Sequence, residues 1–294
     1  MTSTMKPSRP PNRRPGSRGH TDRTGARGRS DDAGAGDVWL WGTHAVLAGL
    51  ANPQRTTHEV LATRNAARDL PGGLVERGGA RVVEPAVIDD VLPRGAVHQG
   101  VAARCAPLAP VALDTLLAPA DGLLVLVDQV TDPQNMGAML RSAAAFGARG
   151  VILQDRKAPP FSGGCAKAAV GAAERVPHAR VVNLSRALEA AREAGWRTIG
   201  LAGEAEMDID AALAEAVAQT AGDGRAGAIV LALGGEEKGL RPSVRAACDV
   251  LGRIAISDAV ESLNVSNAAA IALHAAARAR AVGAGARASQ GAER

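Results

Sequence analysis

The chain has 294 residues, 46% of them hydrophobic and 22% charged, with a formal charge of +4. This is enough apolar material for a sizeable core shared between two domains. No apolar run approaches the ~20 residues of a membrane-spanning helix, and the N-terminus carries arginines without the apolar centre of a secretion signal, so a cytoplasmic protein is expected.

Residues 1–36 hold Lys6, Arg9, Arg13, Arg14, Arg18, Arg23, Arg27 and Arg29 against Asp22, Asp31 and Asp32, whereas the rest of the chain has 26 basic and 27 acidic residues. The positive excess therefore belongs to this first segment. Its Pro, Gly, Ser and Arg content predicts a disordered basic tail that binds polyanions non-specifically.

At Val38 the composition changes. VWLWGTHAVLAGL opens a small α/β domain over residues 37–105, in which HEVLATR predicts a strand and ARVVEPAVIDDVL a strand followed by a helix. The domain closes near GAVHQGVAARCA, and the proline-bearing PLAPVALDTLLAPADG, residues 106–121, predicts a linker. A second α/β domain, residues 122–282, starts with LLVLVDQV, a continuous apolar run suited to a buried parallel strand. Its strands are expected at Leu123–Asp128, Gly150–Leu153, Arg180–Val182, Arg197–Leu201, Ala228–Leu233 and Arg253–Ile256, mostly separated by helices. Residues 283–294, GAGARASQGAER, predict a flexible C-terminus.

Cys105, Cys165 and Cys248 stand far apart, without a CxxC pair or clustered histidines, so reduced thiols and no metal site are expected. Neither GxGxxG nor a Walker phosphate loop occurs, which removes two common explanations of an α/β chain.

Three segments carry candidate chemistry. In DQVTDPQNMGAMLRSAAAFGARGVIL, Asp128 to Leu153, a strand is expected to end in a loop holding Pro133, Asn135 and Gly137 before a small-residue helix. Asn135 and Arg141 lie less than two helical turns apart, so both can approach one cleft at the strand's C-terminal edge. Taken alone, this segment is better explained by a capping Asn135 and a surface Arg141, and it decides nothing by itself. In IVLALGGEEKGLRPSV, Ile229 to Val244, a buried strand runs into glycines that permit close backbone approach to a ligand, with helix formation from Pro242; an ordinary turn with solvated glutamates is the other reading. In RIAISDAVESLNVSNAAAIAL, Ser262, Asn264, Ser266 and Asn267 crowd a helix N-terminus, more polar groups than one cap requires.

In this order and at these separations, the segments resemble the three motifs of the SpoU/TrmH family of RNA 2'-O-methyltransferases. Asp132, Pro133, Asn135, Gly137, Arg141, Ala143, Phe146 and Gly147 match the first; Gly234, Glu236, Gly239 and Leu240 match the second; Ser262 to Ser266 match the third. The resemblance implies an α/β fold with a parallel sheet and a trefoil knot. GAVHQG and the small domain extend it toward 23S rRNA guanosine 2'-O-methyltransferases, which carry an L30e-like RNA-binding domain.

The resemblance further implies S-adenosylmethionine held by backbone groups at Gly234, Ile254 and Leu263, without a metal. Asn135, Arg141, Glu236, Ser262 and Asn264 become the catalytic candidates. RNA, most specifically 23S rRNA, is the expected partner, with Arg55, Arg64, Arg68 and Arg77 as candidate phosphate contacts. A homodimer is expected, with Ile271 and Leu273 of the final helix as candidate interface residues. Two other readings remain open at this stage: a family member acting on tRNA or another rRNA site, and a non-catalytic RNA-binding or ribosome-assembly protein.

Overall fold

A computed structural model describes residues 36–70, 72, 79–156, 158–161, 163–220, 227–235 and 238–291. The expected basic tail up to residue 35 lies outside the described residues, as do Arg77 and Glu236.

The aromatic and β-branched VWLW segment forms β1 (Val38–Trp41), followed by α1 (Thr43–Ala51) and β2 (Thr57–Ala62). Then come α2 (Arg64–Asp69), β3 (Arg81–Val82), α3 (Pro85–Val91), which has proline in its first turn, and β4 (Val101–Cys105). The strands form one sheet in the order β1-β4-β2-β3, antiparallel except for the β2–β3 pair. Alternation sends Leu40, Val60, Ala62, Val101 and Ala103 to one core and Trp41, Leu61 and Ala102 to another, completed by Ile88 of α3.

The stretch expected as a linker contains α4 (Leu113–Leu117) and is fastened to the body that follows. Leu116 and Leu117 are buried there, Trp196 Nε1 donates to Leu117 O at 2.9 Å, and Val111 N donates to His178 O at 2.9 Å. Its prolines suggested a connector, but the leucines between them bury too much apolar surface to leave it free.

The body continues through β5 (Leu123–Asp128), α5 (Pro133–Ala145), β6 (Gly150–Gln154), α6 (Gly163–Ala169), a 3-10 turn (Ala172–Glu174) and β7 (His178–Val181). It proceeds with α7 (Leu184–Glu193), β8 (Arg197–Leu201), β9 (Met207–Asp208), α8 (Ile209–Thr220) and β10 (Ile229–Gly234). It ends with α9 (Pro242–Ala247), β11 (Val250–Arg253) and α10 (Val265–Gly291).

Seven strands pair in the order β7-β6-β5-β10-β8-β11-β9, and every neighbouring pair is parallel. Leu123, Val125, Val127, Ile229, Leu231 and Leu233 point into the core shared with α5, α8 and α10. Leu124, Leu126, Val230 and Ala232 point into the core shared with α4, α7 and α9. Burial on both faces accounts for the unbroken apolar runs.

Several expected boundaries move. Asp132 caps α5 through its side chain, which accepts from Gln134 N, and Pro133 occupies the first turn, so Asn135 and Gly137 are helical rather than in a loop. The strand expected at Arg253–Ile256 instead occupies Val250–Arg253, because its pairing with the two-residue β9 ends at Arg253 opposite Asp208. β7 begins earlier than expected, at His178, and Val182 is 84% exposed beyond its end. The alanine-rich final helix runs to Gly291, past the expected end at residue 282. On it Leu273 is buried in the core, which removes it as an interface candidate, whereas Ile271 is 43% exposed.

All three cysteines are free thiols, and burial pushes those of Cys165 and Cys248 up to about 12, which makes them poor nucleophiles. Burial has the opposite effect on His178, which packs against Phe161 with ring centroids 4.5 Å apart. Its pKa is lowered to about 4, first by desolvation and then by Arg180 and Arg55. Between its unfolded value near 6.5 and about 4, the unfolded chain binds the extra proton, so stability present above pH 6.5 is lost on acidification. Urea unfolding should show a decline of at most ~1.4 kcal/mol per pH unit from this group in that window. His178→Phe should flatten that contribution; an unchanged slope would contradict the assignment.

Candidate active site

The apolar strand β5 ends in Asp128, which has no exposed surface. A carboxylate taken fully out of water requires compensation. Arg241 provides it, donating from its backbone N to Oδ2 at 2.9 Å and from Nε to Oδ1 at 2.8 Å, with Nη2 also 2.8 Å from Oδ1. This pair joins the end of β5 to the residues that follow the β10 glycine loop. The neighbouring Gln129, at φ 62, reinforces the junction by donating from Nε2 to Gly239 O at 3.0 Å.

Gly234 ends β10 opposite Asp128. A Cβ on Gly234 would lie 2.1 Å from Gly239 C and 2.2 Å from Leu240 N. Glycine is therefore required by the chain's own return: Gly239 N donates to Gly235 O at 2.8 Å and folds the loop back on the strand end.

The third segment reaches the same edge from farther away. Asn264 caps α10, its Oδ1 accepting from Ser266 N at 2.9 Å, Ser266 Oγ at 2.6 Å and Asn267 N at 3.4 Å. Its Nδ2 donates to Asn135 Oδ1 at 3.1 Å. Asn135 stands in the first turn of α5, after β5, whereas the third segment leaves β11, which is separated from β5 by β8 and β10. Residues 254–264 must therefore cross above the C-terminal ends of β8 and β10. Residues 255–262 are exposed, and no backbone hydrogen bond among the described residues involves 255–263.

Asn135 and Asn264 are thus brought into direct contact. Arg141 is exposed on α5, without an ion pair or hydrogen bond among the described residues. Six residues along a helix put it about 9 Å and roughly 120° from Asn135, so the two side chains leave the helix on different sides. Ser262 is exposed, and Ile254 and Leu263 are half-buried on the crossing segment. The crowding of polar residues resolves into one cap, Asn264, with Ser266 and Asn267 as its donors. Asp128, Gln129 and Arg241 were not singled out by the motif analysis. The available signal was an acidic residue closing an otherwise apolar buried strand.

Residues 122–274 match the family described as SpoU rRNA Methylase, and residues 39–111 match RNA 2'-O ribose methyltransferase substrate binding. The chain belongs to the SpoU rRNA methylase family. The 23S rRNA (guanosine-2'-O-)-methyltransferase RlmB of Xylella fastidiosa strain Temecula1 is 39% identical over 252 residues, covering 82% of this chain and 96% of the relative. The protein of the same name from Vibrio cholerae is 38% identical over 250 residues, covering 82% and 96%. The crystal structure of the SpoU methyltransferase AviRb from Streptomyces viridochromogenes shares the fold at TM-score 0.67 and 24% identity, covering 84% of this chain and 91% of that one.

For this SpoU chain, the Asp128–Arg241 pair is expected to hold the edge on which the first two motifs meet. Asp128→Asn should leave the partly exposed Arg241 under-compensated and cost ~3 kcal/mol. Chemical denaturation measures it, and a loss below ~0.5 kcal/mol would show that the pair is dispensable.

Proposed function

We propose that this protein transfers a methyl group from S-adenosylmethionine to the ribose 2'-hydroxyl of a guanosine in 23S rRNA. The observation that carries the reading is the Asn135–Asn264 contact at the C-terminal edge of the parallel sheet, where the first and third SpoU motifs meet. The two RlmB relatives cover nearly their whole length and support the rRNA guanosine as substrate.

The crossing of residues 254–264 above the β10 loop is the feature we assign to the trefoil knot, a rare departure from unknotted chain paths. Residues 255–262, exposed and without a backbone–backbone hydrogen bond among the described residues, suit a nucleoside cofactor that needs hydrogen-bonding partners, and Gly234, Ile254 and Leu263 would hold it. S-adenosylmethionine, when bound, supplies an electrophilic sulfonium methyl group.

The chain's side chains must then place the 2'-oxygen and manage its proton. Holding the oxygen in line and near contact can account for roughly 7 to 11 kcal/mol of the barrier. A guanidinium offers donors and no acceptor, so Arg141 clamps the target phosphate and polarises the 2'-hydroxyl, whose proton leaves to that phosphate or to solvent water. Asn135 and Asn264, with Ser262 and Glu236, orient the ribose.

Residues 37–105 act as the L30e-like RNA-binding domain, with exposed Arg64 and Arg68 as phosphate contacts. Residues 122–282 act as the catalytic domain. We further propose a homodimer using the exposed Ile271 face of α10, acting in the cytoplasm. Among the described residues, no helix is long and apolar enough to cross a membrane.

Nucleotide-resolution mapping of 2'-O-methylation in RNA from cells with and without the protein tests the activity. One guanosine methyl in 23S rRNA should disappear; loss in tRNA would overturn the substrate, and no loss would overturn methyl transfer. Replacing Arg141 with Lys should lower turnover roughly tenfold to a hundredfold by removing the planar fork, and near-normal turnover would refute the clamp. Asn264→Ala should cost ~1 kcal/mol as a lost cap and also sharply reduce methylation; unchanged turnover would remove it from the site.

A further inference from the structure

The expected role of Arg55 as an RNA contact does not survive the structure. Its side chain is fully buried against Glu174, which is itself 3% exposed, and the pair links the turn after α1 to the 3-10 turn before β7. Arg55 Nε lies 3.2 Å from both carboxylate oxygens, and Nη2 closes the fork. Nη1 donates to Ala106 O at 2.9 Å, where the chain leaves the small domain. Asn52 Nδ2 donates to Glu174 Oε2 at 2.8 Å and to Glu174 O at 3.3 Å. An arginine side chain buried this completely is out of reach of an RNA phosphate, and the burial of both charges requires that they stay together.

Helix α6 lies between the small domain and α5. Ala166 belongs to the same core as Leu40, Val46 and Val101 of the small domain. Gly163 admits Trp41, whose ring would stand 2.3 Å from an added Cβ, and Lys167 Nζ donates to Val97 O at 2.7 Å. On its other side, α6 meets α5 at Gly137, where an added Cβ would lie 2.4 Å from Cys165 O. Such contacts leave no room for sliding. They run from the small domain through α6 to the helix that carries Asn135 and Arg141.

We infer that Arg55, Asn52 and Glu174 are positioning residues that lock the RNA-binding domain in one orientation against α6 and α5, so that bound RNA presents one ribose to Arg141. A free tether of the length of residues 106–121 would let the domain spread by ~20 Å, a span of several nucleotides. The buried pair and the packed α6 replace that spread with a fixed arm. This inference rests on the methyl-transfer reading above.

The test compares full-length wild type with Glu174→Gln, with Ala48→Leu, and with the double variant Arg55→Met and Glu174→Met. Glu174→Gln strands the Arg55 charge. Ala48→Leu inserts a wedge where α1 faces Gly171, whose added Cβ would lie 2.8 Å from Ala48 Cβ, and leaves every charge paired should the first variant not fold. The double variant replaces the ion pair with apolar side chains. Small-angle scattering reads domain separation, calorimetry reads S-adenosylmethionine affinity, and methyl mapping on a 23S rRNA fragment reads rate and site.

In Glu174→Gln and Ala48→Leu we expect a larger radius of gyration, kcat/KM for the fragment down about tenfold or more, and methyl groups on neighbouring riboses. Cofactor affinity should stay within about twofold, and the double variant should regain both compactness and site fidelity. An expanded variant that keeps the wild-type rate and site would overturn the lock, as would a rate loss without expansion. A wild-type protein that methylates no RNA would instead refute the underlying reading, and this inference with it.

Discussion

One carboxylate that cannot reach water organises the functional edge of this molecule. Asp128 closes a strand whose other five residues are apolar and buried, and its full compensation comes from the backbone and guanidinium of Arg241. Meeting that requirement pulls the segment after the β10 glycine loop across the end of β5. With Gly239 and Leu240 held there, only glycine fits at Gly234. The close approach of chain to chain thus has an electrostatic origin.

The candidate site is assembled from parts far apart in sequence. Asn135 starts the helix after β5, and Asn264 starts the helix after β11, yet their side-chain amides touch. A single residue caps α10 and holds that contact, so local helix stability and site assembly are coupled. Arg141 projects from another side of α5, exposed and uncommitted among the described residues. That disposition suits a cation that engages an incoming phosphate rather than one that supports the fold.

A second buried charge pair governs the relation between the two domains. The side chains of Arg55 and Glu174 are almost entirely buried, and they join the small domain to the body beside α6. Membership in the SpoU family explains why an RNA-binding module and a catalytic module share the chain, but it does not by itself fix how one is carried against the other. In this protein the arrangement is set by a buried fork, a shared core residue, Ala166, and a helix wedged against α5.

Much of this was legible in the sequence because it is local. Strands β5 and β8 fall at their expected residues, since a strand buried on both faces must be apolar throughout and turns bound it. The three motifs identified the chemistry because their residue types and order survive any change of context. Pairing partners were not legible: the RIAIS alternation looks like a strand, but β9 offers only Met207 and Asp208 to pair with. The fates of the arginines were equally hidden, because Arg55 and Arg64 differ in nothing but what the fold brings near them. Sequence alone determined the elements and the reaction class, which depend on nearest neighbours and residue chemistry. Only the tertiary structure decided which charges are buried and which motif residues touch, because those properties belong to contacts between segments more than a hundred residues apart.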